Sequence, residues 1–62
     1  MAYNYKVIEP TEDSPERVLV LQDPAHLDDD GNPVQVTAIV IKAADDPRLW
    51  FDYLVSQQGG GE

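Results

Sequence analysis

The residues with the clearest capacity for chemistry are His26, which is the one histidine, and the aspartates that follow it. A histidine beside Asp28 and Asp30 could transfer protons, or these groups could together ligate a metal ion. Catalytic tuning of such groups needs apolar burial, whereas the polar segment around them predicts a solvated turn. The chain has no cysteine, which excludes a thiol nucleophile and a thiolate zinc site. We therefore expect no catalytic residue, no cofactor and no metal site, and we do not expect an enzyme.

The run Asp28-Asp29-Asp30-Gly31-Asn32 has the oxygen ligands and the glycine of an EF-hand calcium loop. Its spacing does not fit that loop. When Gly31 takes the place of the loop's glycine, a histidine falls at the first ligand position and a threonine falls where the bidentate glutamate belongs. Aspartate, glycine and asparagine are also the residues that reverse a chain, so the run predicts a turn.

Acidic residues dominate the chain, with twelve aspartates and glutamates against four basic residues and a formal net charge of −8. This balance excludes a general binder of nucleic acid or of anionic membranes and favours a protein partner with a basic surface. Connections in an antiparallel meander alternate between the two ends of the sheet, so two acidic segments should share one end. The residues expected to form this acidic interaction surface are Glu9, Glu12, Asp13, Glu16, Asp45 and Asp46. A solvated loop surface that binds nothing is the alternative.

Three segments have the composition of β-strands. Residues 3–9 alternate apolar and polar side chains, which is typical of a strand with one face in water. Residues 17–22 contain an unbroken apolar run, which favours a strand buried on both faces over a short helix. Residues 34–42 are rich in β-branched residues, and we expect them to form the central strand, covered on both faces in its second half. Between the last two, Asp23 is expected to cap a single helical turn over residues 23–27 before the chain reverses over residues 28–33.

The strongest helix signal lies near the C-terminus. Asp45 or Asp46 can cap a helix, and Pro47 suits its first position. A run of glycines follows residue 58 and cannot continue a helix. The sequence therefore predicts a helix over residues 47–58.

This helix carries more apolar surface than a small sheet can cover. Its polar residues repeat every four positions in one narrow stripe, so the apolar arc approaches roughly 240°. We expect Trp50, Tyr53 and Leu54 to face the sheet. The remaining apolar residues, Leu49, Phe51 and Val55, are then left for an interaction surface, unless loops fold back over them.

The order of these elements predicts an α+β fold in which one C-terminal helix packs on one face of a three-stranded antiparallel sheet. A small, partly closed β-barrel with the same helix is the alternative. Residues 1–58 should form a single domain and residues 59–62 a flexible tail. A chain of this size buries only about 60% of its unfolded surface, which favours further burial against a partner or a second copy. No apolar run approaches the roughly 20 residues that span a bilayer, and no signal peptide is present, so we expect a cytoplasmic protein.

The last residues, Gly59-Gly60-Gly61-Glu62, resemble the Gly-Gly-Glu end of the prokaryotic ubiquitin-like protein. The resemblance covers the terminus only, because that family is largely disordered and poor in aliphatic residues. It implies a small modifier attached to lysines through its C-terminus. This is our alternative hypothesis for function.

The leading hypothesis is a small acidic interaction module that binds a protein partner or itself. It would use the spare apolar face of the helix together with the acidic loops. By analogy of class, clustered carboxylates can mimic nucleic acid phosphates and occupy a basic groove, as in small inhibitors encoded by bacterial viruses. An inhibitor, accessory or assembly protein of viral or mobile-element origin therefore fits this hypothesis.

Overall fold

The computed structural model describes residues 3–58, which form three strands and one helix. The elements are β1 (Asn4–Ile8), β2 (Arg17–Leu27), β3 (Pro33–Ile41) and α1 (Pro47–Gln58). Each strand is antiparallel to the next, and the sheet is open, in the order β1-β2-β3. The predicted α+β fold is confirmed, and the sheet does not close into the alternative barrel.

The central strand is β2, so the prediction that residues 34–42 lie at the centre is wrong. Two successive antiparallel connections place the middle strand of the sequence between the other two. Leu19, Val20 and Leu21 of β2 are all buried, whereas Val40 of β3 is 58% exposed. Both runs look apolar on two faces, and only the strand order reveals which one is flanked on both edges.

The register of the strands divides the sheet into two sides. On the helix side, one row across β1, β2 and β3 consists of Tyr5, Leu21 and Thr37, and the next consists of Val7, Leu19 and Ile39. A third row pairs Arg17 of β2 with Ile41 of β3. The open side has three rows across the same strands, which are Asn4, Gln22 and Gln35; Lys6, Val20 and Ala38; and Ile8, Val18 and Val40. Alternate residues of a strand point to opposite faces, so these rows define two separate surfaces.

The core lies on the helix side. Leu19 and Leu21 are fully buried, and with Ile41 and Leu54 they form one apolar cluster. The partly buried residues packed against this cluster include Tyr3, Tyr5, Val36, Ile39, Phe51 and Val55. Val20 is only 3% exposed but lies on the other side and does not belong to the cluster.

The predicted helical turn over residues 23–27 is wrong, because β2 continues to Leu27. An irregularity in the pairing separates Asp23 from Leu27. The Asp23 carboxylate accepts the Ala25 N–H at 3.0 Å and lies 2.9 Å from His26 Nδ1. These bonds satisfy the carboxylate within a bulged strand, so it does not cap a helix.

The predicted reversal between β2 and β3 is a tight turn built around Asp28. Its Oδ1 atom accepts the backbone N–H groups of Asp30 and Asn32, each at 2.9 Å. Gly31 adopts a positive φ of 84°, a conformation that side chains with a Cβ rarely take. This carboxylate therefore organises the turn itself, in agreement with turn chemistry.

The helix has the predicted bounds and the predicted cap. Asp46 Oδ1 accepts the Arg48 N–H at 2.9 Å, and the Asp46 carbonyl accepts the Leu49 N–H at 3.1 Å. Asp46 is therefore the N-cap and Pro47 occupies the first helical position.

The predicted orientation of the helix is wrong. Leu54 faces the core as expected, but Phe51 and Val55 pack beside it. The Phe51 ring lies 4.8 Å from the Tyr5 ring, centroid to centroid. Trp50 and Tyr53 are turned outward and are 36% and 53% exposed. The spacings 50/53/54 and 51/54/55 fit a helical face equally well, and in the structure the second set packs against the sheet.

Candidate partner-binding surface

Arg17 joins the two acidic connections at one end of the sheet. Its Nη1 group donates to the carbonyl oxygens of Ala43 at 3.5 Å and Asp45 at 3.4 Å. Its Nε atom lies 3.3 Å from Glu9 Oε1, an ion-pair distance without hydrogen-bond geometry. The side chain is only 20% exposed, so it contributes little positive charge to the outer surface. The loop after β1 and the turn before α1 therefore lie at the same end, as the meander predicts.

The turn before α1 holds two carboxylates in fixed positions. Asp45 Oδ2 accepts the Lys42 N–H at 2.9 Å, and Asp46 caps the helix through Oδ1. Each aspartate uses one oxygen in this way. Among residues 3–58, neither carboxylate forms an ion pair with a basic side chain. The backbone thus positions both carboxylates, and no basic side chain among residues 3–58 pairs with them.

These carboxylates border a concavity, here called the helix pocket, of about 390 Å³. It is lined by Asp45, Asp46, Leu49, Trp50 and Tyr53. The two aromatic rings meet edge to face, with centroids 5.7 Å apart and an angle of 88°. Leu49 is 67% exposed at its margin. The helix pocket combines a fixed aromatic wall, an aliphatic edge and two carboxylates.

The basic residue of the helix does not neutralise this pocket. Arg48 Nε donates to Asp52 Oδ1 at 3.2 Å, one turn along the helix. Its guanidinium also lies 5.5 Å from the centroid of the Phe51 ring, on the side that packs toward the sheet. Both contacts engage Arg48 with residues that do not line the helix pocket.

The structure brings together only part of the predicted interaction surface. Of the predicted apolar residues Leu49 lines the helix pocket, whereas Phe51 and Val55 contact the core. Of the predicted acidic residues Asp45 and Asp46 line it. The others, Glu9, Glu12, Asp13 and Glu16, are exposed in the neighbouring loop and do not line it. Sequence reasoning missed Trp50 and Tyr53 as surface residues because aromatic side chains on a helix are usually assigned to a core.

His26 and Asp23 form a polar pair away from the helix pocket. The Asp23 side chain is 14% exposed and that of His26 is 72% exposed. The hydrogen bond from His26 holds the pKa of Asp23 below its ordinary value of 3.8, the Ala25 N–H lowers it further, and partial desolvation opposes both. Among residues 3–58, no group of three or more histidine, aspartate or glutamate side chains could hold a metal ion. No nucleophilic side chain bonds to this pair within the described residues.

The predictions of a flexible tail and of a protein that does not span a membrane do not involve the helix pocket. The glycine-rich tail, residues 59–62, lies outside the described residues. Among the residues that are described, no helix is long and apolar enough to cross a membrane. No family model, curated protein or solved structure matches this chain.

Proposed function

We propose that this chain is a small, non-catalytic interaction module that binds a protein partner through the helix pocket. The partner presents a basic side chain next to an apolar one. The observation that carries this proposal is the convergence of Asp45, Asp46 and two outward aromatic rings on one concavity. An inhibitor or accessory protein that blocks a basic surface is the form of this function that we favour.

The charge of the pocket supports a basic ligand group. The two aspartates carry no ion pair among residues 3–58, and Arg48 is engaged by Asp52. An arginine or lysine entering the pocket would meet the carboxylates with its charged end and the faces of Trp50 or Tyr53 with its stem. A protein anion would gain nothing there and would be repelled by the net charge of −8.

The exposed apolar side chains support a protein as the ligand. Leu49, Trp50 and Tyr53 stand at the surface of the helix, with the leucine 67% exposed at the rim. Small-molecule sites enclose most of their ligand, whereas protein interfaces use aromatic anchors on an open surface with a polar margin. Tryptophan and tyrosine are the residue types most often found as energetic centres of such interfaces.

The test uses Trp50, the one tryptophan, as the reporter of binding. The probe is the synthetic peptide acetyl-Leu-Arg-Leu-Lys-Leu-Arg-amide, titrated while tryptophan emission is recorded at two salt concentrations. We expect a saturable spectral change that weakens as salt rises. The same peptide with glutamate at the basic positions should not bind. Equal binding of both peptides, or of neither, would refute the proposal.

A matched pair of variants locates the binding charge. Asp45→Asn with Asp46→Asn removes two charges but keeps oxygens that can accept the Lys42 and Arg48 N–H groups. Affinity for the basic peptide should fall by roughly tenfold. Asp29→Asn with Asp30→Asn makes the same charge change at the opposite end of the sheet, and affinity should change far less.

A loop variant separates direct contact from the general field. The triple substitution Glu12→Gln, Asp13→Asn and Glu16→Gln alters carboxylates that are exposed but do not line the pocket. It should slow association and flatten the salt dependence while leaving the dissociation rate near that of the wild type. An unchanged salt slope would remove this loop from the binding surface.

A further inference from the structure

The open side of the sheet ends in an apolar row that crosses all three strands. Ile8, Val18 and Val40 lie side by side in the strand register. Ile8 is 48% and Val40 is 58% exposed, although both are residues that usually lie inside. In the next row Ala38 is exposed, whereas Val20 is buried and only 3% exposed. Among residues 3–58 the single helix packs on the other side, so no helix or strand covers this row.

This side also lacks the charge that dominates the chain. The rows of the open side contain no carboxylate at any strand position, and their one charged residue is Lys6. Asp28 borders only the far end, where it lines a concavity together with Lys6. The chain as a whole carries a net charge of −8. Two copies can therefore approach through the open side without bringing rows of carboxylates together, which the acidic end and the helix pocket do not allow.

The dimensions suit an interface between two such sheets. The described chain measures 37 × 29 × 12 Å along its principal axes, so it is thin, two layers thick, and has a broad face on the open side. A stable interface buries roughly 800 Å² on each partner. Sheets that pack face to face lie about 10 Å apart and interdigitate the side chains of their inner faces.

We propose that the open side is the interface of a homodimer, in which a second copy of this chain packs its own open side against the first. A two-fold axis brings the same surface of both copies together, so Ile8, Val18 and Val40 of one copy meet the same row of the other. The result is a four-layer molecule with a helix on each outer face. The helix pockets remain exposed, so this dimer neither requires nor blocks the function proposed above.

Sedimentation velocity of the purified chain at rising concentration tests the dimer, with Val40→Lys and Leu49→Lys as a matched pair. Each substitution replaces an exposed aliphatic residue by lysine and makes the same change in net charge. Because an added lysine lowers the net negative charge, it should reduce the repulsion between two copies. A loss of dimer in Val40→Lys would therefore show that Val40 is buried in the interface. We expect this variant to weaken the dimer by roughly a hundredfold or more, because a charge would enter an apolar interface. The Leu49→Lys variant should dimerise like the wild type.

A second variant and the salt response keep the outcome decisive. Ile8→Lys alters the same row on the opposite edge strand and should also dissociate the dimer, with the far-UV circular dichroism of the monomer retained. Salt should strengthen the dimer by screening the repulsion between two acidic chains, whereas salt should weaken binding of the basic peptide. A wild-type chain that stays monomeric up to roughly 1 mM overturns the proposal. A dimer lost in Leu49→Lys but kept in Val40→Lys and Ile8→Lys also overturns it, because the interface would then lie on the helix.

Discussion

The two sides of the sheet are built from alternate residues of the same strands, yet they differ sharply in burial. The central strand β2 is buried on both sides, at Leu19 and at Val20, so the difference lies in the edge strands. On the helix side Val7 and Ile39 are half-buried. On the open side Ile8 and Val40 are about half exposed although they are equally apolar. The residue types alone do not distinguish the two sides. The position of one helix does, because it supplies a second layer to one side only.

The comparison shows that an apolar strand pattern predicts burial of the side chains but does not predict which part of the molecule, or which other molecule, covers them. In β2, Leu19 is covered by α1 within the same chain. Its neighbour Val18 lies in a row that residues 3–58 leave uncovered. A domain of this size gains little from its own core, so burial of a second face against another chain would add substantially to its stability.

The largest expected difference between the two sides is in the free energy of unfolding. Leu19→Ala should lower it by about 2 to 5 kcal/mol, because the leucine is fully buried and a cavity remains. Val40→Ala should cost less than about 1 kcal/mol in the monomer. Urea denaturation at a protein concentration low enough to dissociate any dimer measures both. If the two variants were equally destabilised, the open side would be as well covered as the core.

The second comparison concerns the two aromatic positions on the helix. Phe51→Ala should lower the free energy of unfolding by about 2 to 4 kcal/mol, since its ring packs on Tyr5 and on the core cluster. Trp50→Ala should cost about 1 kcal/mol or less despite removing a larger side chain, because it stands outside the core. Thermal unfolding followed by far-UV circular dichroism ranks the variants. The reverse order would restore the helix orientation expected from sequence.

The local signals in the sequence are sufficient to predict the three strands and the helix in their order along the chain, but not the order of the strands within the sheet. The alternation in residues 3–9 predicts β1, and the observed burial follows it, with Tyr5 and Val7 half-buried and Lys6 exposed. The cap at Asp46 and the proline after it predict the start of α1. These features depend on backbone chemistry within a few residues, which a sequence states directly.

The parts that could not be predicted depend on contacts distant in the chain. The rotation of α1 is decided by how Phe51 fits beside Tyr5, a pair that the sequence separates widely. The extension of β2 to Leu27 depends on pairing with Pro33 across the turn, which overrides the capping tendency of Asp23. The helix pocket follows from the same rotation, so its aromatic wall was missed for the same reason.

The smallest predicted effect concerns Asp23, the one carboxylate that the strand register places on the helix side of the sheet. Its pKa is lowered mainly by the hydrogen bond with His26, so the folded state favours the charged form. This contribution to stability is fully present at pH values above the ordinary pKa of 3.8 and is lost as pH falls through the lower folded pKa. The Asp23→Asn variant lacks this contribution at every pH, because asparagine does not ionise. The gap in stability between wild type and this variant should therefore be constant down to about pH 4.5 and close at lower pH.

Chemical denaturation at a series of pH values measures that gap, and two further variants determine its cause. His26→Ala removes the donor and should reproduce the pH dependence of Asp23→Asn, because the shift depends first on their bond at 2.9 Å. Asp29→Asn changes an exposed carboxylate of the same turn region and should run parallel to the wild type. If the gap instead widened as pH fell below 3.8, the fold would favour the protonated form of Asp23, and the assignment of the His26 bond as the main cause of the lowered pKa would be wrong. A pH dependence that is present in the wild type and absent from both Asp23→Asn and His26→Ala would show that this pair forms in solution at the end of β2, beyond the apolar core.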